Sequence, residues 1–395
     1  MRIRSLPYKG GNFLIYFDNS ATTRPLPEVV AFICDELSSE DGFGNPGSLH
    51  RLGMNAEKKQ RAALETLAGI LACSRDELIF TSCGSESVNT AIRGYLSANQ
   101  RAGKHIISTR TEHMASLETL NMLEAAGYEV TYLSVGKDGI PDLKQLENSI
   151  RQDTALITLT HVNNETGAVL PVSQITAIRS RINPKTRIHL DCVQSLGKLP
   201  IRLSQMGVDM ASFSGHKIHA VKGVGLLYVR KGCRISPLIY GGGQQHGLRS
   251  GTESTYLSGA LALALSLAEK DREDALLRVT ILKRELLEGL SDLSPTVLSP
   301  SDALPYVVNL SFPSFEAETM LHALEEHDIF VSTVSACSSK AKKVSYVLLE
   351  MGIAKVIAQN AVRFSFSRFS TEAETKRVCQ AIHQIYEKYT MKRGK

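Results

Sequence analysis

The run "ELIFTSCGSESVNTAIRGYL" (residues 77–96) passes from a short apolar stretch through Cys-Gly-Ser into a helical pattern. A strand that ends on small residues and gives way to an amphipathic helix is the repeating unit of parallel sheets. Similar apolar runs recur at "HIISTR" (105–110), "EVTYLSV" (129–135), "ALITLTHV" (155–162), "RIHLDCV" (187–193), "MASFSG" (210–215) and "GVGLLYVR" (223–230), with helical patterns between them. The alternation predicts an α/β fold whose mostly parallel, seven-stranded sheet is covered on both faces. Ligands of such sheets bind beyond the carboxyl ends of the strands.

Beyond these runs, "LIYGGGQQHGLRSGTES" (238–254) breaks the alternation with glycine, and one long helical pattern follows from Thr255 to Leu293. The remainder reads as a small α+β unit. With 395 residues against ~100–200 per domain, the chain divides into a large α/β domain over 16–258 and a small domain over 259–395, with 1–15 packed alongside and 1–12 a loose extension. The composition, 43% apolar and 22% charged, is that of a globular protein with a large core. A net charge of +5 is too small an excess to argue for nucleic-acid or membrane binding; the basic end "MKRGK" reads as a frayed terminus. Seven scattered cysteines without a CxxC pair fit reduced thiols and a cytoplasmic protein. No apolar run is long enough to span a membrane, and the start lacks a secretory pattern.

The candidate chemistry lies at strand ends. In "TSCGSESVNTAI" the free N–H groups of a helix start, with Gly84 and the Ser85 hydroxyl, make an anion cradle; Ser85 as a simple N-cap is the competing reading. Asp191 ends the run "RIHLD", with Gln194 three residues on, and a carboxylate at such a place implies a cationic partner, either a structural arginine or a protonated ring nitrogen. Lys217 follows in "SFSGHKIHAVKG" (212–223), with Ser214 and His216 as donors beside it. A lysine in a low-polarity site is a nucleophile able to form a Schiff base, whereas a lone lysine is ordinarily a surface residue. His113 in "TEHMAS" can stack on a ring and carry protons, or simply cap a loop. Anion cradle, buried carboxylate and lysine together are what pyridoxal 5′-phosphate requires. No metal is implied.

The ordered set "YFDNSATTRPLPEV", "FGNPGSLHRLG", "FTSCGSESVNTAI", "TEHMASLETL", "HVNNETGAVLPV", "HLDCVQSLGKLPI", "SFSGHKIHAVKGVG", "GGGQQHGLRSGTES", "VSTVSACSS" and "VRFSFSRFS" resembles the cysteine desulfurases, fold-type I pyridoxal phosphate enzymes of aminotransferase class V, from about residue 16 to 370. The resemblance implies Lys217 as the cofactor lysine, Asp191 at the pyridinium nitrogen, Gln194 and Asn164 near the ring hydroxyl, and His113 over the ring. It implies Gly84, Ser85, Ser214 and His216 around the phosphate, Thr252 reaching the phosphate of a neighbouring subunit in a homodimer, and Arg363 clamping the substrate carboxylate. Cys337 resembles the catalytic cysteine, which takes sulfur from L-cysteine as a persulfide, releases alanine and passes the sulfur to a transient acceptor protein. Read from composition alone, Cys337 is a passive thiol.

The spacing after Cys337 resembles the group with a compact, exposed cysteine loop, and the wording around it leans toward donors for tRNA thiolation or thiazole synthesis rather than iron–sulfur assembly. The chain departs from the family pattern at Val334, at Ala220 and Val221, and at Cys192, none of which removes a reactive group. Two further readings use the same pocket: a selenocysteine lyase and a class-V aminotransferase. A third is a catalytically idle scaffold that binds a sulfur carrier.

Overall fold

All seven apolar runs form strands of one sheet because both of its faces are covered, so alternation with polar residues is not required. The computed structural model describes residues 14–313, 315–333 and 344–393, with the side chains of 389–393 left aside. In chain order the strands are β1 (Ile15–Tyr16), β2 (Leu78–Thr81), β3 (His105–Thr109), β4 (Glu129–Leu133), β5 (Thr154–Thr160), β6 (Arg187–Asp191), β7 (Met210–Ser214), β8 (Gly225–Val229), β9 (Thr296–Val297), β10 (Val307–Ser311), β11 (Ile329–Phe330), β12 (Ser332–Thr333) and β13 (Ala361–Ser365). The large sheet has the order β2-β8-β7-β6-β5-β3-β4. Only β8 runs against its neighbours. The other six strands therefore present their carboxyl ends along one edge.

The helices Arg51–Leu71 and Thr255–Lys270 cover one face, where Leu67, Leu71, Leu261 and Leu265 are fully buried with Phe213 and Leu226. On the other face Val88, Ile92 and Leu120 close over Ile106 and Leu156. A second core forms around the antiparallel sheet β12-β13-β10-β9, against the helices Arg272–Gly289, Ala317–Glu325 and Glu372–Arg393. β1 pairs in parallel with β11, which brings Ile15 and Phe17 into that second core.

The single helix expected from Thr255 to Leu293 is instead two, Thr255–Lys270 and Arg272–Gly289, broken at Asp271, whose φ of −123° and ψ of 21° are not helical. Aspartate is a poor interior helix residue, and this carboxylate is drawn aside by Arg368 and, at 3.3 Å, by Arg278. Among the described residues no helix is long and apolar enough to cross a membrane. The extension 1–12 and the last two residues of "MKRGK" fall outside the described residues.

Candidate active site

Turns that follow the strand ends carry the predicted residues to a common edge. Asp191 and Ser214 are the last residues of β6 and β7. Lys217 stands on the short turn Gly215–Lys217 immediately beyond. Its amine donates to the carbonyls of Ser20 at 2.5 Å and Ala21 at 2.6 Å. Asp191 is buried and accepts the Val193 N–H at 3.0 Å. Burial pushes its carboxyl pKa up, opposed by His113, by that N–H and by Lys217. The cationic groups acting on it are thus an imidazole and an amine, with the Glu112 carboxyl also near, and among the described residues the structural arginine allowed by the sequence is not one of them.

His113 is the N-cap of the helix Met114–Ala125, its Nδ1 accepting the Ala115 N–H at 3.1 Å. The cap fixes the tautomer: a neutral ring carries its proton on Nε2. The ring opens to solvent at the mouth of the site, and the protein packed around it lowers its pKa, with Asp191 pulling up and Lys217 pushing down. His113 therefore both caps a helix and faces the site.

The anion cradle is built differently from the simple expectation. Cys83, not Ser85, caps the helix Gly84–Ala98, its sulfur accepting the Glu86 N–H at 3.4 Å. Ser85 is exposed in the first turn, and the N–H groups of Gly84 and Ser85 remain for a ligand. Ser214 Oγ is buried without a hydrogen-bond partner, 3.8 Å from where a Cβ on Gly84 would lie. A hydroxyl orphaned beside a helix N-terminus is the donor set a phosphate group requires. His216 bonds Thr22 Oγ1 at 3.1 Å, and burial with Lys217, Lys222 and Lys198 around it pushes its pKa down to about 4; the neutral ring still offers one N–H.

Gly84 leaves no room for a side chain, since a Cβ would sit 2.9 Å from Val193 Cγ2. Valine has one stiff rotor and cannot swing its methyl away. Gly84→Ala is therefore expected to destabilise the protein by about 1–3 kcal/mol, as overpacking does, which urea denaturation measures.

Gln194 is buried and donates through Nε2 to the Ser20 carbonyl at 2.9 Å. Arg363, on β13, is buried with one Nη on Asp18 Oδ1 at 2.7 Å and the other on the Asn164 carbonyl at 3.0 Å, its Nε unpaired. Arg363 and Asn164 thus meet through backbone, and Asp18 holds the guanidinium face that a substrate carboxylate would claim. Thr252 is exposed on the glycine-rich segment, which is pinned by Gln245 to Phe80 N at 2.7 Å and by Arg249 to Glu86 at 2.9 Å. Cys337 and Val334, with the nearby Lys340, Lys342 and Lys343, lie outside the described residues.

Several residues beside the site were not singled out in the sequence. Asp18, Ser20 and Ala21 belong to "DNSATT", a small polar run quoted for its resemblance without roles. Glu112 and Glu165 adjoin His113 and Asn164. Burial pushes Glu112 up to about 8, although Thr160 and Thr109 donate to it at 2.6 and 2.8 Å. Burial likewise pushes Glu165 up to about 7 against the Ser345 hydroxyl at 2.5 Å. The Tyr346 hydroxyl donates to the Glu112 carbonyl at 2.7 Å. Carboxyls that hold protons near neutrality can sit in this apolar interior, Glu165 with the Arg363 charge acting on it as well.

The chain matches the family described as aminotransferase class-V over residues 15–378. A cysteine desulfurase of Trichormus azollae is 41% identical over 379 residues, covering 95% of this chain and 93% of its own. A solved NifS-like protein superposes with a TM-score of 0.90 at 36% identity, over 95% of this chain and 99% of that one. SspA in complex with cysteine gives a TM-score of 0.79 at 32% identity, over 90% and 100% of the two chains. With the fold, the strand-end lysine and matches of this length in agreement, the chain belongs to the class-V aminotransferase family, among its cysteine desulfurases.

Proposed function

We propose that the protein converts L-cysteine to L-alanine with pyridoxal 5′-phosphate held on Lys217, and that Cys337 carries the sulfur away as a persulfide. The observation that carries this reading is the meeting of the Lys217 amine, the buried Asp191 carboxylate and the orphaned Ser214 hydroxyl at one sheet edge. The donor set suits the cofactor: Lys217 would hold it covalently, Gly84, Ser85, Ser214 and His216 its phosphate, Asp191 its ring nitrogen, and Gln194 and Asn164 its ring oxygen. When bound, the group supplies an electron sink next to the α-carbon of an amino acid.

The chain's own residues do the rest. Asp191, shielded from water, keeps a proton on the ring nitrogen by its charge. His113 would lie over the ring and can carry protons. The Lys217 amine moves protons at the α-carbon once the substrate has displaced it. Arg363 exchanges Asp18 for the substrate carboxylate and so orients the amino acid. The Cys337 thiolate attacks the substrate sulfur: a sulfur–sulfur bond forms, the carbon–sulfur bond breaks, and the carbon fragment takes up protons and leaves as alanine. The persulfide then passes to an acceptor protein, and Thr252 completes the phosphate site of a second copy in a homodimer. SspA was solved with cysteine, which supports the substrate.

The test is to incubate the purified protein with L-cysteine and reductant and to assay products. Alanine and sulfide in equal amounts are expected. A keto acid in place of alanine would move the reading to an aminotransferase, and a colourless protein that releases neither product would leave only the scaffold.

A further inference from the structure

Lys198 is buried, only 8% exposed, and among the described residues no acidic group acts on it. The charges it feels are those of Lys217 and Arg363, both positive, and burial with these two pushes its pKa down to about 7. Its ammonium lies 5.7 Å from the centre of the Tyr306 ring, in a cavity shared with Lys217, His219 and Arg368. A methionine would fill this volume without desolvating a cation. The amine must therefore serve as a donor.

Its hydrogen-bond partner is Gln194 Oε1, at 3.2 Å. A carboxamide can be turned over at little cost unless its neighbours specify which end is oxygen. Here both do. While protonated, the Lys198 ammonium has only donors, so it selects Oε1; the Ser20 carbonyl has only acceptors, so it selects Nε2, at 2.9 Å. Lys217 donates to that same carbonyl, so a continuous set of hydrogen bonds runs Lys198, Gln194, Ser20, Lys217. One Gln194 N–H remains unused by these contacts.

We propose that Lys198 is a positioning residue: it locks the Gln194 carboxamide so that the remaining N–H points to the cofactor's ring oxygen, and its charge beside Lys217 favours the unprotonated form of the nitrogen that links Lys217 to the cofactor. The inference rests on the roles given above to Lys217 and Gln194. Without Lys198 the carboxamide can turn its oxygen to the ring oxygen. Both that turn and the lost charge favour a proton on the linking nitrogen.

The test is a pH titration of the visible absorbance of the holoenzyme, comparing wild type, Lys198→Met and Lys198→Arg. The midpoint is expected to rise by roughly half to one pH unit in Lys198→Met, the worth of one hydrogen bond, and to return toward wild type in Lys198→Arg, which keeps donor and charge. A purely structural lysine would leave the midpoint unmoved in any variant that folds. If Lys198→Met does not fold, Lys198→Gln, neutral but polar, is expected to raise the midpoint in the same way. A wild type that titrates while both neutral variants share its midpoint overturns this inference alone. A wild type with no visible band overturns the cofactor reading and this inference together.

Discussion

Lys217→Ala is expected to lower alanine formation from L-cysteine by ~10³-fold or more and to abolish the visible absorbance of the purified protein. Among the described residues no other amine is placed as this one is, at the end of β7 between Asp191 and the Ser20 and Ala21 carbonyls. Lys198 shares its cavity but is committed to Gln194. Removing the amine takes a donor from the Ala21 carbonyl, at a cost of about 1 kcal/mol, while the Ser20 carbonyl keeps Gln194. That is small beside the stability of a domain, so the variant is expected to remain folded and to separate chemistry from folding. Chromatographic alanine assays with spectra of the same preparation check it. Activity within about tenfold of wild type, which is about 1.4 kcal/mol of barrier, would remove the amine from the mechanism.

Cys337→Ser is expected to reduce alanine release from cysteine by a similar factor and to leave no radiolabelled sulfur on the protein after incubation with labelled cysteine. A serine hydroxyl is hardly ionised at neutral pH, whereas a thiol reaches its reactive anion far more readily. The described residues on either side of 334–343 stand near the site. β12 ends at Thr333, paired with Val362 next to Arg363. On the far side Ser345 is bonded to Glu165 and Tyr346 to the Glu112 carbonyl, immediately before His113. Both anchors thus stand beside residues assigned to substrate and cofactor. A Cys337→Ser protein inert toward cysteine yet fully active on selenocysteine would turn the reading to a selenocysteine lyase.

The large sheet was legible because burial on both faces leaves most of its strands as largely apolar runs, and every run from 77 to 230 became a strand, including the half-exposed β4 at its edge. Strand ends then marked Asp191, Ser214 and Lys217 without reference to distance. What the sequence concealed depends on contacts remote along the chain. Nothing local distinguishes Lys198 from a surface lysine, and the Asp18–Arg363 pair joins residues 345 positions apart. Helical periodicity continued through Asp271 because the arginine that draws its carboxylate away comes from residue 368. The competing reading of Ser85 as the N-cap fails because the turn puts the Cys83 sulfur at that position, although serine is the stronger capping residue.

Residues 18–23 touch Arg363 at one end and the Lys217 turn at the other, through Asp18, then the carbonyls of Ser20 and Ala21, then Thr22 and Thr23 against His216. Such a strip acts as a ruler laid between the two halves of the molecule. One inserted residue would put either the carboxylate or the carbonyls out of step with what they meet. The length of this hexapeptide is held as tightly as the side chains of Asp18, Thr22 and Thr23 that anchor it.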